Sequence, residues 1–259
     1  MLLAVIAAVT AAAAPSAPSP IYHYVRSNID GSQPEHVVHY RPSKRTISVY
    51  KWVSKCTTAA YVTADMDDDT RSGRVFFAGR VAPNGTQRQF GRLTLDPESL
   101  TLWADVTPPG GKRIEARHAL RATSFLLYDF DFADLNSFLQ ENHPTYDFSY
   151  ALPVVWPADP STFRDLGMLR AHLAGEEQHL GRDTRRFDLR VEGASPSSGT
   201  LWVDAKDWFI VDAQLGLPNH MEYKDFRLRL ENVEPGGPKA WAALLTGHYA
   251  NCPAPKATP

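Results

Sequence analysis

From Leu180 to Glu234 the chain alternates apolar with polar residues in four runs: Arg182–Val191, Gly199–Asp204, Trp208–Leu215 and Tyr223–Glu231. Gly, Pro, Ser, Asn or Asp separates each run from the next. A period of two with one wet face predicts an antiparallel meander. The same rhythm fills the first half. Strands are predicted at Ile21–Arg26, His36–Tyr40, Thr46–Val53, Ala59–Ala64, Arg74–Val81, Gln87–Leu95, Leu100–Val106 and Arg113–His118. Turn signals recur about every ten residues, as a sandwich, barrel or half-barrel requires. The Asn84-Gly85 pair predicts a tight hairpin with positive φ at both central positions.

The rhythm breaks between Phe125 and Glu141. Leu135, Phe138 and Leu139 have helical spacing, and Asp131 is placed to cap the helix, with Asp134 in its first turn. Asn142-His143-Pro144 stops it. Tyr146–Trp156 is an apolar run broken by Pro153, which predicts an edge strand or a loop. Ala158–Gly167 reads as loop. Met168–Glu177 is a strand that pairs with Arg182–Val191 through Leu180-Gly181, and Ala240–Leu245 is a second, short helix. The fold class is therefore mainly β: a strongly curved antiparallel sheet, as a half-barrel or open barrel, with one principal helix on its concave face.

Three segments follow. Residues 1–20 read as a signal peptide and spacer, because Met1–Ala14 is apolar, too short for a comfortable membrane span, and followed by small residues suited to cleavage. Residues 21–234 form a single β-rich domain, and 235–259 form a tail. The expected protein is periplasmic or secreted, with no stable membrane span after cleavage. In an oxidising compartment the two cysteines, Cys56 and Cys252, are expected to pair; the alternative is two unrelated thiols. A loop that long would contribute roughly 4–5 kcal/mol in the chain-entropy model. The 27 basic and 29 acidic side chains of the 259 residues are interspersed, with a net charge of −2, which argues against a nucleic-acid partner.

Chemistry is harder to read. Asp65-x-Asp67-x-Asp69 looks like a cation loop, but Thr70 and Phe76 stand where an EF-hand needs Gly and Glu, so a hairpin loop fits better. His172, Glu176, Glu177 and His179 form a cluster; on a helix His172 and Glu176 would share a face and could hold zinc, but on a strand Glu177 and His179 fall opposite His172 and Glu176, which splits the set. No nucleophile elbow, phosphate loop or dinucleotide fingerprint occurs. No catalytic residue, metal or cofactor is expected. The aromatic residues allow two readings. Phe130, Phe132, Leu135, Phe138, Trp156, Trp202 and Phe209 are either ordinary core or the lining of an apolar cavity for an acyl or lipid-like ligand.

Leu180-Gly181-Arg182-Asp183-Thr184, Phe187-Asp188-Leu189-Arg190-Val191, Gly199-Thr200-Leu201-Trp202-Val203-Asp204, Ile210-Val211-Asp212-Ala213 and Phe226–Glu231 together resemble bacterial envelope proteins of the domain-of-unknown-function family 3108. That family is similar to the lipoprotein-carrier half-barrels. The resemblance covers about Met168–Glu234 and implies a periplasmic location with a lipid or lipoprotein ligand. The expected function is a non-enzymatic envelope binding protein. The alternatives are a hydrolase with a His/carboxylate site, or an assembly protein using sheet edges or an exposed aromatic patch.

Overall fold

The computed structural model describes residues 19–157 and 161–253. The expected signal segment therefore lies almost wholly outside the described residues. The first half forms β1 (Ile21–Ser27), β2 (Glu35–Ser43), β3 (Thr46–Trp52), β4 (Ala60–Met66), β5 (Gly73–Val81), β6 (Gln87–Asp96), β7 (Thr101–Val106) and β8 (Ile114–Ala119). A 3-10 turn (Tyr128–Phe130) and helix α1 (Ala133–Asn142) follow. The second half forms β9 (Phe148–Val155), β10 (Phe163–His179), β11 (Arg182–Glu192), β12 (Ser197–Asp204), β13 (Ile210–Leu215) and β14 (Phe226–Glu234), then helix α2 (Pro238–Thr246).

All fourteen strands belong to one antiparallel sheet. Its order runs from β8 back to β1, across to β14, and back to β9. The two halves are joined where β1 pairs with β14, from Ile21↔Glu234 to Ser27↔Arg227. Strands β8 and β9 are the edges, so ladder hydrogen bonds do not close the sheet. The segment after β8 stands beside β9: Phe125 bridges Ala151, and Ser72 Oγ donates to the carbonyl of Thr123. His118 of β8 stacks on Phe163 of β10 at 5.4 Å, and Arg121 pairs with Asp165.

Alternation sends side chains to two cores. Tyr22, Tyr24, Val37, Ile47 and Val49 join Phe132, Leu135, Phe138, Leu139 and the apolar residues of β9–β14 in the larger one. Their neighbours Ile21, Val38, Tyr40 and Tyr50 join Trp241 and Leu245 of α2 in the smaller one. Successive residues of a strand point to opposite faces, so α1 and α2 cover opposite faces of β1–β3. The Cys56–Cys252 disulfide forms, with a sequence separation of 196 residues. It ties the segment after α2 to the turn after β3, and a loop of that length stabilises the fold by about 5 kcal/mol in the chain-entropy model.

Three expectations are corrected. Asp131 does not cap α1: the residue before the helix is Phe132, no side chain caps it, and Asp131 and Phe132 both take left-handed φ of 54° and 56°. Asp134, which is in the first turn as expected, accepts from the backbone N–H of Leu127 and of Leu135. In the Asn84-Gly85 hairpin only Gly85 has positive φ, 78°, while Asn84 Oδ1 accepts from the Thr86 N–H. Asn84 therefore serves as an Asx acceptor in a longer turn. Finally, β10 begins at Phe163, inside the expected loop, because Phe163 and Arg164 pair with Val155 and Val154 beyond Pro153. Pro153 is tolerated because β9 is an edge strand.

Candidate functional site

The aromatic residues expected to line a cavity are for the most part packed in the larger core. Phe130, Phe132, Leu135, Phe138 and Phe209 are all buried, Phe132, Leu135 and Phe138 completely so. Phe138 meets Phe148 and Tyr150 edge-on at 5.4 Å each, and Phe132 meets Phe226 at 5.1 Å. Trp156 is also buried, beside a separate shallow cleft, with the Arg164 guanidinium over its ring. Trp202 stands apart from the others. It is partly exposed, lies parallel to His179 at 4.0 Å, and its indole N–H donates to Glu177.

Helix α1 is fixed by polar bonds as well as by packing. Asn136 accepts from the Ile210 N–H and donates to the Tyr24 hydroxyl, linking the helix to β13 and β1. Arg41 of β2 reaches both Gln140 and Glu141 at the other end. Displacing α1 would strand these buried groups, at a cost of about 1–3 kcal/mol for each one left unsatisfied.

Below α1, Asp131 is fully buried at the centre of an ionic node. Arg26 Nη1 lies 3.1 Å away, Lys51 Nζ 2.8 Å, and the Asn219 amide donates at 2.6 Å. Burial alone would raise the Asp131 pKa, but Lys51 and Arg26 hold it well below the usual carboxylate range. Arg26 also pairs with Glu35 and lies over the Tyr223 ring at 4.4 Å. His220 is 4.0 Å from Asp131, and burial together with Lys51 and Arg26 pushes its pKa well down. The carboxylate and two cations hold three distant segments together. With Asp131 itself fully buried and bonded to Arg26, Lys51 and Asn219, the arrangement suits structure better than catalysis.

The largest cleft described, about 920 Å³, lies over β9–β12. Its floor is a cross-strand row. Ser149 of β9 is opposite Arg170 of β10, Arg170 is opposite Arg190 of β11, and Arg190 is opposite Ser198 of β12. All four are exposed, on the face opposite the buried Tyr150, Leu169, Leu189 and Val191. Arg170 pairs with Glu192 at 2.7 Å; among the described residues no carboxylate pairs with Arg190. Arg71, Thr123, Ser124 and Tyr146 complete the walls.

The cleft also holds a His–carboxylate pair, with His172 Nδ1 2.8 Å from Asp147 Oδ2. Both are exposed; the hydrogen bond raises the His172 pKa and lowers that of Asp147. A raised pKa keeps the imidazole protonated to higher pH, which opposes a general-base role. A second pair, His179 with Asp212 at 3.0 Å, lies where Arg227 also clasps Asp212 through two nitrogens.

Sequence reasoning split His172 from Glu177 and His179. The structure reverses this, because β10 carries a bulge between Leu173 and Gly175. One extra residue inverts the alternation beyond it, so Glu177 and His179 share the face of His172, while Glu176 falls on the other. Gly175, with φ of 141°, takes a conformation closed to most side chains. Even so, no group of three His, Cys, Asp or Glu among the described residues is arranged to hold a metal ion. The Asp67 carboxylate accepts from the Arg71 N–H, as a hairpin loop would have it. Nor is any helix among the described residues long and apolar enough to cross a membrane. The arginine row was missed because its members come from separate strands and meet only through register. No family model and no curated protein matches the chain, so the likeness to family 3108 rests on the hairpin motifs of the meander alone.

Proposed function

We propose that this is an exported, non-enzymatic binding protein of the bacterial envelope that takes its ligand in the cleft over β9–β12. In this reading the sheet is curved and α1 packs on its concave face as a fixed plug. The meander's likeness to envelope half-barrels and the Cys56–Cys252 disulfide support the location. One observation carries the choice of site: the aromatic residues around α1 are packed against one another, whereas the cleft is open, about 920 Å³ in volume and lined by polar side chains together with Phe148, Met168 and Leu189. That volume is in the range of small-molecule sites.

The test is native mass spectrometry of protein purified from its own compartment. Ser198→Trp would fill the cleft floor, whereas Leu135→Ala would open space under α1. The expected result is a bound molecule that Ser198→Trp removes and Leu135→Ala retains. A co-purifying lipid that survives Ser198→Trp would return the site to the space beneath α1. A hydrolase remains the second reading, favoured by the His172–Asp147 pair in the same cleft. Ester or glycoside turnover abolished by His172→Ala would establish it.

A further inference from the structure

We infer that the floor of the β9–β12 cleft recognises an acidic saccharide, its carboxylate held by Arg170 and Arg190 and its ring hydroxyls by the surrounding polar side chains. The inference rests on the assignment of that cleft as the binding site.

The first support is the charge arrangement. Arg170 and Arg190 stand directly opposite one another on β10 and β11. Like charges in that position are destabilising; Glu192 pairs with Arg170, and among the described residues no carboxylate pairs with Arg190. The nearest other carboxylates are engaged elsewhere: Asp188 with Arg186 at 3.2 Å, and Asp147 with His172. The unfavourable pair is exposed at the bottom of the largest cleft described, where an incoming anion would neutralise it. A guanidinium presents a planar fork of donors that matches a carboxylate in two bonds.

The second support is what flanks the row. Ser149 and Ser198 extend it at either end, so four side chains with hydrogen-bond donors lie in line across β9–β12. Three interstrand steps at about 4.8 Å make the row roughly 14 Å long, longer than one small anion needs. Thr123 and Ser124 add hydroxyls at the wall, which accept as well as donate. Such a mixture of donors and acceptors suits a polyhydroxylated ligand. Tyr146, 49% exposed at the rim, offers an aromatic face for a sugar ring. A simple oxyanion would use neither the acceptors nor the ring, and a lipid would leave the hydroxyls unpaired.

The test is isothermal titration with tetragalacturonic acid, with maltotetraose as the neutral counterpart and inorganic phosphate as the bare anion. The expected result is binding of the acidic tetrasaccharide alone, weakened by salt. Arg190→Gln should lower its affinity about tenfold or more, as loss of a charge-assisted bond implies. Tyr146→Ala should lower it less. Urea midpoints confirm that the variants are folded. Equal affinity for the acidic and neutral tetrasaccharides, abolished by Ser198→Trp, would overturn the anionic part and keep the cleft. Binding unaffected by both Arg190→Gln and Ser198→Trp would overturn the cleft as well. Failure of both tetrasaccharides to bind, phosphate binding as tightly as the acidic one, or binding to phosphatidylglycerol vesicles in their place would each overturn the inference.

Discussion

The protein carries its charges in two opposite ways. At Asp131 a fully buried carboxylate meets Arg26 and Lys51, and opposite signs compensate within hydrogen-bond distance. At the floor of the β9–β12 cleft two exposed arginines stand side by side, and a carboxylate, Glu192, pairs with Arg170 alone. The first arrangement balances its charges without a ligand and ties β1 and β3 to the segment before α1. The second is incomplete and is tolerated because water screens it. Compensation marks a structural site, and in the proposed reading its absence marks a recognition site, so stability and binding should respond to different residues.

The largest effect should come from the compensated node. Asp131→Asn leaves Lys51 buried without a counter-charge and Arg26 with Glu35 as its remaining close carboxylate, and urea denaturation should show a loss of about 3–5 kcal/mol. Little change would mean that water reaches Arg26 and Lys51 freely. Removing the disulfide with Cys56→Ser and Cys252→Ser together should cost about 2–5 kcal/mol, and amide exchange should rise first in α2. Asn136→Ala strands the Ile210 N–H and should cost about 1–3 kcal/mol. At the other end of the scale, Arg190→Gln should shift stability by no more than about 0.5 kcal/mol, towards greater stability if the Arg170 repulsion matters. A large loss there would erase the distinction between the two regions.

Acid–base behaviour sharpens the same contrast. Burial pushes the Asp134 pKa up to about 7 despite its backbone hydrogen bonds. A carboxyl whose folded pKa is raised stabilises most when protonated, so its contribution is full below the ordinary carboxylate range and is lost as pH rises towards 7. Asp131 has the opposite sign: its pKa is depressed, and its contribution is lost only in strong acid. Asp134→Asn should therefore gain stability relative to the wild type as pH rises from about 4 to about 7, with the difference level above that, measured as the difference in urea midpoint. His39, pushed down to about 3 by burial, titrates in both proteins and cancels in that difference. A constant difference across the range would show that Asp134 does not ionise there.

Much of the strand pattern was legible because its cause is local. Alternation and turn residues located β1 to β8 and β11 to β14 to within a few positions, and Pro153 marked the edge strand β9. Local signals failed where a distant partner decides the outcome. Asp131 looks like a helix cap in sequence, but Arg26 and Lys51, both about a hundred residues or fewer upstream, draw it into the node. The bulge in β10 leaves no mark in the sequence beyond Gly175, yet it decides which of His172, Glu176, Glu177 and His179 share a face. The Ser149–Arg170–Arg190–Ser198 row depends on three registers at once, and none of its members is distinctive alone. The aromatic residues were legible as apolar, but whether they enclose space depends on packing that alternation does not encode.

The pairing of β1 with β14 also sets a timetable. The first strand finds one of its two neighbours only after the last strand has been made. The smaller core likewise waits for α2, and the disulfide for Cys252. Strands β2 to β8 can assemble as local hairpins, but the seam joining the halves is among the most distant contacts in the molecule, and such contacts form slowly. A chain with this topology stays open while it emerges and becomes resistant to unfolding only when the final sixth arrives. Delayed closure of this kind would fit the export proposed above, in which the chain is threaded through a narrow channel before it folds.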